Sequence, residues 1–334
     1  VVGVALLFSL IAASAVGIGL AILLFIREQI GGSVVRRKSY GNQTFSKCVR
    51  LHAEREILER HGDSAVIYEL QGSLFFGTTD QLYSALESEL KSRKYVILDM
   101  RRVQSVDVTA THMLEQVKNM LAEQQGFLIF SRLPNKLPSG QDMQEYFGTV
   151  GLVQSQSQVK VFGDLDEALE WVEDRIISEA TLSYVDESLL DLHEIAIFEG
   201  RKAETMAALE ACMEKRHVKK GETIFVSGDS GDELFLIRRG AVRIVLPLND
   251  RQNIHLSTFG RGNFFGEMAF LDGASRSADA MAHNDVELFV LPRKNFDKLA
   301  TEHKVMALNL LEGIASELAT RLRYANVQMR SLET

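Results

Sequence analysis

Residues 263–280 read NFFGEMAFLDGASRSADA and bring the carboxylate of Glu267 near the guanidinium of Arg276, among glycines and small residues. A short helical turn starting near Gly266 would present free backbone N–H groups, which bind anions. The planar guanidinium of Arg276 fits two phosphate oxygens, and an ionised Glu267 accepts a hydrogen bond from a hydroxyl group. The pattern therefore fits a ligand with one anionic group and one hydroxyl. A Glu267–Arg276 ion pair that only braces the turn is an equally open interpretation.

Short β-rich runs separated by glycines surround this loop. The runs occupy residues 222–246, 254–267 and 277–291, and tight turns are expected at Gly221, Gly228, Gly231, Gly240, Gly260 and Gly262. Helical patterns flank them at 194–216, 293–300 and 305–329. Many short strands with turns at this spacing predict a β-roll or jelly roll with flanking helices, here over residues 194–330.

Residues 51–178 alternate between strand and helix patterns. Strand-like runs occupy 64–77, 95–100, 127–130 and 159–162, and helical patterns occupy 79–92, 109–126 and 164–177. The pattern over 79–92 puts Leu82, Leu86 and Leu90 on one face of a helix. Strands that alternate with helices of this length predict an α/β domain, in which crossover helices cover a central sheet. A linker is expected over 179–193.

The first residues differ from the rest of the chain because no charged residue precedes Arg27. A helix over residues 1–26 would be about 39 Å long, which exceeds the ~30 Å hydrocarbon core of a bilayer. We therefore expect a transmembrane helix over 1–27. A signal peptide would start with basic residues and have a shorter apolar run, and a buried soluble helix is the other alternative. Cations outnumber acids in a basic juxtamembrane linker over 28–50, which predicts that this flank and all that follows are cytoplasmic.

Composition limits the classes of function. The chain has 334 residues, of which 46% are hydrophobic and 25% charged, so folded domains are expected. A net charge of -8 argues against a nucleic-acid partner. Cys48 and Cys212 are far apart, and no phosphate-binding loop, nucleophile elbow or metal-spaced cluster occurs. We therefore expect neither an enzyme nor a metal site.

Thr109 is a candidate modification site. It lies in SVDVTATHML, residues 105–114, where a strand pattern ends and a helical pattern begins. Either Asp107 or Thr109 can cap the start of this helix. Phosphorylation of Thr109 is the alternative interpretation, because a phosphate at an exposed helix start is stabilised by the helix dipole.

The motifs GDELFLIRRGAVRI and FFGEMAFLDGASRSADA resemble the cyclic nucleotide-binding domain over about residues 190–330. The resemblance implies that Glu267 binds the ribose 2′-hydroxyl and that Arg276 pairs with the cyclic phosphate. The residues implied to complete the site, through backbone N–H groups or by leaving room, are Gly266, Met268, Ala269, Ser277 and Ala278. The sequence Arg-Ser-Ala resembles the form that uses cAMP, although a hydroxyl at this position can also favour cGMP. The helix over 305–329 would act as a lid.

Residues 1–178 resemble the end of a SulP-family anion transporter and its STAS domain, with YELQGSLFFGTTDQL and VILDMRRVQSVDVTATHML as the matching motifs. The resemblance implies the cytoplasmic regulatory region of a membrane transporter for sulfate- or bicarbonate-type anions. The expected partners are the upstream transmembrane transport domain and the membrane, with a homodimer left open. Related anti-sigma-factor antagonists are phosphorylated on a Ser at the position of Thr109, although Val108 and Ala110 depart from their motif. The alternative function is a phospho-switched STAS interaction module whose last domain is structural and binds no nucleotide.

Overall fold

The chain divides into two compact units. The computed structural model describes residues 11, 14–22, 33–135, 137, 140, 142–153, 158–181, 189–198, 203–249 and 252–333. The first unit consists of Val1–Ser46 and Ile57–Ala180, and the second of Lys47–Glu56 and Thr181–Thr334. The second unit therefore takes a short segment from the N-terminal part of the chain.

A central sheet organises the first unit. The strands of the N-terminal half are β1 (Val35–Tyr40), β2 (Cys48–Val49), β3 (Ala65–Leu74), β4 (Tyr95–Val106), β5 (Phe127–Ser131) and β6 (Val159–Phe162). All except β2 form one sheet in the order β1-β3-β4-β5-β6. β1 is antiparallel to β3, and the remaining neighbours are parallel. Parallel neighbours require crossover connections, which helices supply here.

Helices cover both faces of this sheet. They are α1 (His52–His61), α2 (Phe76–Leu90), α3 (Val108–Glu123), α4 (Met143–Thr149) and α5 (Leu165–Thr181). Successive side chains of a strand point to opposite faces, so the two faces have separate cores. On β3, Tyr68 packs in a cluster with Leu86 of α2 and Leu114 of α3. Its neighbour Ile67 packs in another cluster with Val172 of α5. The predicted α/β architecture with crossover helices is confirmed.

Two sheets form the second unit. Its further strands are β7 (Glu214–Val218), β8 (Thr223–Phe225), β9 (Glu233–Arg239), β10 (Val242–Asn249), β11 (Gln252–Phe259), β12 (Phe264–Phe265), β13 (Asp279–Ala282) and β14 (Val286–Pro292). The sheet orders are β2-β11-β10-β13-β8 and β12-β9-β14-β7. Apolar residues from both sheets, including Phe235, Val242, Phe265 and Leu288, pack in one cluster. The predicted jelly roll is confirmed.

Helices pack on the smaller of these two sheets. They are α6 (Ala203–Glu210), α7 (Glu267–Asp272), α8 (Arg293–Glu302) and α9 (Lys304–Glu333). Leu236 of β9 and Phe289 of β14 share a cluster with Phe296 of α8 and with Leu310 and Ile314 of α9. The long C-terminal helix predicted over 305–329 is therefore α9, and one of its faces belongs to the core.

Three segments differ from the sequence-based expectations. The prediction of one helix over 194–216 is wrong, because this segment contains short 3₁₀ turns, the shorter helix α6 and the start of β7. Residues 28–50 were expected to be a linker, yet they include β1 and β2, which pair in sheets of different units. In the predicted linker over 179–193, the described side chains of Leu190 and Leu192 are buried in the core of the second unit.

The transmembrane helix predicted over 1–27 falls mostly outside the described residues. Across the residues that the structure describes, no helix is both long and apolar enough to cross a bilayer.

Replacement of Ile97 tests the core of the first unit. Ile97 is fully buried in the cluster that also contacts Trp171, and Trp171 is the one tryptophan of the chain. Tryptophan fluorescence therefore reports unfolding of this unit. Ile97→Ala should lower the free energy of unfolding by about 2–5 kcal/mol, because it removes buried methyl groups and leaves a cavity. Urea unfolding of the intact chain, followed by fluorescence, measures this change.

Val108→Ala is the matched control. The Val108 side chain is 63% exposed, so its truncation should change the same free energy by less than about 0.5 kcal/mol. Equal unfolding curves for the two variants would contradict the assignment of Ile97 to the core.

Candidate functional site

Gly266 sets the start of α7. Its φ of 78° and the φ of 70° at Gly273, at the other end of the helix, lie in the left-handed region that favours glycine. A Cβ on Gly266 would lie 2.8 Å from Nη1 of Arg276 and 3.0 Å from Cδ2 of Phe235. The missing side chain therefore lets the Arg276 guanidinium lie against the first residue of the turn.

Arg276 is buried in the jelly roll, with 5% of its surface exposed. Its Nη1 donates to the carbonyl oxygen of Gly266 at 2.8 Å, and its Nη2 donates to the carbonyl oxygen of Glu233 at 3.0 Å. The guanidinium carbon lies 4.3 Å from the ring centroid of Phe225. The Nε atom has no hydrogen-bond partner. Neutral carbonyls and aromatic rings thus surround the cation and leave one buried donor without a partner.

The carboxylates near Arg276 pair with other arginines. Glu233 binds Arg216 at 2.8 Å, and Glu267 lies 3.9 Å from Nη1 of Arg321. The Glu267–Arg276 ion pair that the sequence left open is therefore not the arrangement that the structure forms. Burial lowers the pKa of Arg276, while more distant carboxylates raise it, in decreasing order those of Glu233, Asp232, Glu267 and Asp229. The positive charge is buried and only partly compensated.

Arg321 of α9 is a second cation at the site and is partly buried, with 14% of its side chain exposed. Its guanidinium carbon lies 4.4 Å from the ring centroids of both Phe259 and Phe264. Nη2 donates to the carbonyl oxygen of Phe264 at 3.0 Å, and Nε donates to Glu317 at 3.3 Å. Nη1, the atom nearest Glu267, has no hydrogen-bond partner. Burial lowers the pKa of Arg321, and Glu267 and then Glu317 counteract it.

Arg321 was not among the residues predicted from the sequence. A signal was present, because Arg321 follows the buried residues Ala307, Leu310 and Ile314 of α9 at helical spacing. A charged residue on the buried face of a helix indicates a functional role. Which face of α9 is buried becomes clear only when the packing of the helix is known.

The remaining predicted residues lie around the same turn. Ala269 and Ala278 are buried at 2% and 5% exposure, and Met268 is 55% exposed. The exposed hydroxyl of Ser277 lies 3.7 Å from the sulfur of Met268. The structure thus brings Met268 and Ser277 together, and it connects Gly266 to Arg276 by a hydrogen bond.

Thr109 lies in the first unit and is exposed near the start of α3. The capping residue of this helix is Asp107, whose Oδ1 accepts a hydrogen bond from the backbone N–H of Ala110 at 2.7 Å. Thr109 is therefore not needed as the cap, and its phosphorylation stays a prediction. Among the described residues, no group of three His, Cys, Asp or Glu side chains could hold a metal ion.

Comparison with protein families identifies both domains. The model of the cyclic nucleotide-binding domain matches residues 215–303, and the model of the STAS domain matches residues 56–138. The chain therefore contains a STAS domain followed by a cyclic nucleotide-binding domain, and both resemblances are confirmed at the level of the domain. Together the two domains indicate a regulatory protein, and a cyclic nucleotide is the ligand that the second domain implies.

Similar proteins match either most of this chain or a smaller part of it. Glutaminase 1 of Bradyrhizobium diazoefficiens is 30% identical over 85% of this chain and 44% of its own length. The cyclic AMP receptor protein of Thermus thermophilus is 35% identical over 40% of this chain and 60% of its own length. The match to the crystal structure of the Thermus thermophilus catabolite activator protein has 32% sequence identity and a TM-score of 0.37. It covers 41% of this chain and 62% of that protein's chain. The chain spans less than half the length of the glutaminases that it matches.

Gly266→Ala and Gly273→Ala form a matched pair of variants. Both positions have positive φ, so each alanine should cost about 1–2 kcal/mol in backbone strain. A Cβ at Gly273 would meet no atom within 4 Å, whereas one at Gly266 would crowd Arg276 and Phe235. Gly266→Ala should therefore destabilise the second unit more. Hydrogen exchange of the amides of β9 and β14 in the intact chain measures the difference, and equal exchange in the two variants would contradict the role of Gly266 in seating Arg276.

Proposed function

We propose that the second unit binds a cyclic nucleotide at Arg276 and Glu267, with cAMP preferred to cGMP. The observation that carries this proposal is a pair of guanidinium groups, those of the buried Arg276 and the partly buried Arg321, each with one buried N–H group that lacks a partner. Removing a cation from water without supplying an anion is costly. An anionic ligand would supply the missing acceptors, and the buried Glu267 beside Arg321 would accept a hydrogen bond from its hydroxyl group.

The roles of the residues follow from their donors and acceptors. Arg276 offers its Nε to a phosphate oxygen while its Nη atoms stay on carbonyl oxygens. Glu267 accepts from the ribose 2′-hydroxyl. Arg321 approaches Glu267 from α9, so that a ligand held by Glu267 also meets the long helix. The preference for cAMP is supported by the name of the Thermus relative, a cyclic AMP receptor protein.

The protein that this region regulates is, in our proposal, a membrane anion transporter of the sulfate or bicarbonate type. The proposal is supported by the apolar residues 1–26, by the basic run after them and by the SulP resemblance of residues 1–178. Both domains would then lie on the cytoplasmic side of the membrane. The upstream transport domain would be their partner, and the chain itself would carry regulatory rather than catalytic residues.

A glutaminase-type enzyme is the second candidate for the regulated protein. The observation that favours it is the 30% identity to Glutaminase 1, which extends over 85% of this chain. The STAS and cyclic nucleotide-binding domains would then regulate a glutaminase activity carried by residues outside this chain. The ligand site would be the same in both cases.

Arg276→Leu tests the ligand site. The variant removes the buried phosphate partner and should weaken cAMP binding by about 2–5 kcal/mol, roughly 30-fold or more. Calorimetric titration of the intact chain with cAMP and with cGMP measures this loss and the base preference. Arg239→Leu is the matched control, since the Arg239 side chain is 40% exposed and its nearest carboxylate is Glu287 at 3.9 Å. If the unmutated chain bound neither nucleotide, the proposal would be wrong.

Transport assays distinguish the two candidates for the regulated protein. The full-length protein in lipid vesicles should take up sulfate or bicarbonate, and saturating cAMP should change the rate about 5-fold or more if the coupling has a typical magnitude. Uptake by the Arg276→Leu variant should not respond to cAMP. Hydrolysis of glutamine without anion uptake, in the same preparation, would contradict the transporter and support the glutaminase.

A further inference from the structure

β2 completes the larger sheet of the second unit. It lies parallel to the end of β11, with Cys48 opposite Thr258 and Val49 opposite Phe259. The backbone N–H of Thr258 donates to the carbonyl oxygen of Lys47 at 3.2 Å. This is the geometry of an extended segment that docks on the edge of a sheet. We call Lys47–Glu56, the part of the second unit that contains β2, the connector.

Side chains reinforce this pairing. Asn263 is buried, with 6% of its surface exposed, and its Nδ2 donates to the carbonyl oxygen of Val49 at 3.1 Å. Val49 itself packs against the apolar cluster that contains Phe259. Nζ of Lys47 donates to the carbonyl oxygen of His255 at 2.8 Å. The connector is therefore held by backbone pairing, by a buried amide and by apolar contact.

The residues that hold the connector also hold Arg321. Phe259, which pairs with Val49, is one of the two rings that flank the guanidinium. Phe264 is the other ring and supplies the carbonyl oxygen that accepts from Nη2, and it directly follows Asn263. The guanidinium of Arg321 and the connector therefore contact the same two short segments of the second unit, the end of β11 and the start of β12.

We propose that the edge of β11 is a docking site for the connector, and that a bound cyclic nucleotide tightens this docking. The inference rests on the proposed ligand site, because the coupling runs through Arg321. At each end the connector continues into the first unit, which consists of Val1–Ser46 and Ile57–Ala180. A change in the docking of the connector therefore acts on the STAS domain through the covalent chain. The connector is the segment that transmits nucleotide binding from the second unit to the first.

The direction of the effect follows from the missing partner of Arg321. A ligand that accepts a hydrogen bond from Nη1 fixes the guanidinium between Phe259 and Phe264. A ligand stabilises the conformation to which it binds more tightly. The same conformation fixes the end of β11 and the start of β12, which contact Val49. Ligand binding and connector docking therefore stabilise each other. Thermodynamic coupling is reciprocal, and a loss of docking must weaken ligand binding by the same factor.

The thiol of Cys48 provides a direct readout of docking. The intact chain has two cysteines, so Cys212→Ser leaves Cys48 as the one reactive thiol. Its rate of reaction with an aromatic disulfide reagent is measured with and without saturating cAMP. We expect cAMP to slow the reaction about 5-fold or more, the lower end of typical allosteric coupling.

Variants at the docking site test the reciprocal effect. Val49→Asp introduces a carboxylate into the apolar cluster, and Asn263→Ala removes one buried hydrogen bond to the connector and serves as the milder variant. Both should speed the reaction of Cys48 and weaken cAMP binding, the latter at most by the factor by which cAMP slows that reaction. Gln43→Asp adds the same charge at an exposed position before the connector and should change neither quantity.

The outcomes separate this inference from the ligand site. If cAMP binds but neither slows the reaction of Cys48 nor loses affinity in Asn263→Ala, the coupling is overturned and the ligand site stands. If the unmutated chain binds neither cAMP nor cGMP, the ligand site fails, and the coupling fails with it.

Discussion

A positive charge buried without a paired anion is the constraint on which the ligand site depends. The guanidinium of Arg276 rests on aromatic rings and on two carbonyl oxygens, and these neutral groups do not cancel its charge. Two glycines leave the room that it occupies, since a Cβ at Gly231 would overlap Nε and a Cβ at Gly266 would crowd Nη1. The two glycines therefore provide the space that the buried guanidinium occupies, and its uncompensated charge favours an anionic partner.

In the STAS domain, by contrast, the buried carboxylate of Glu89 is paired with cations. The carboxylate of Glu89 accepts from Lys38 at 2.6 Å and from Arg93 at 2.9 Å, and Arg93 also binds Asp63. Burial raises the pKa of Glu89, but these hydrogen bonds outweigh it and lower the pKa overall. The guanidinium groups of Arg276 and Arg321 differ from this arrangement, because each has a buried N–H group without a hydrogen-bond partner.

The parts of this structure that could be predicted from the sequence are those indicated by patterns among neighbouring residues. Glycines between β-rich runs indicated the jelly roll, and strands alternating with helices indicated the α/β architecture of the first unit. The sequence could not choose between a ligand site and a Glu267–Arg276 ion pair, because the partner of Glu267 is Arg321, far away along the chain. β2 has two residues and no periodicity, so its pairing with β11 could not be anticipated. β7 is a polar strand whose EKRHV sequence gives no alternating pattern, and this made a helix over 194–216 plausible.

The pairing of β2 with β11 makes the second unit a domain assembled from two separated stretches of chain. A fragment with the boundaries that the sequence suggests, residues 194–330, would include the whole nucleotide loop but would lack β2. The backbone N–H and C=O groups along the end of β11 would then face solvent, and an unpaired sheet edge readily recruits strands from other molecules. Poor solubility of such a fragment would report a missing strand rather than a defective fold. Supplying residues 47–51 as a peptide or a fused segment would be the appropriate remedy.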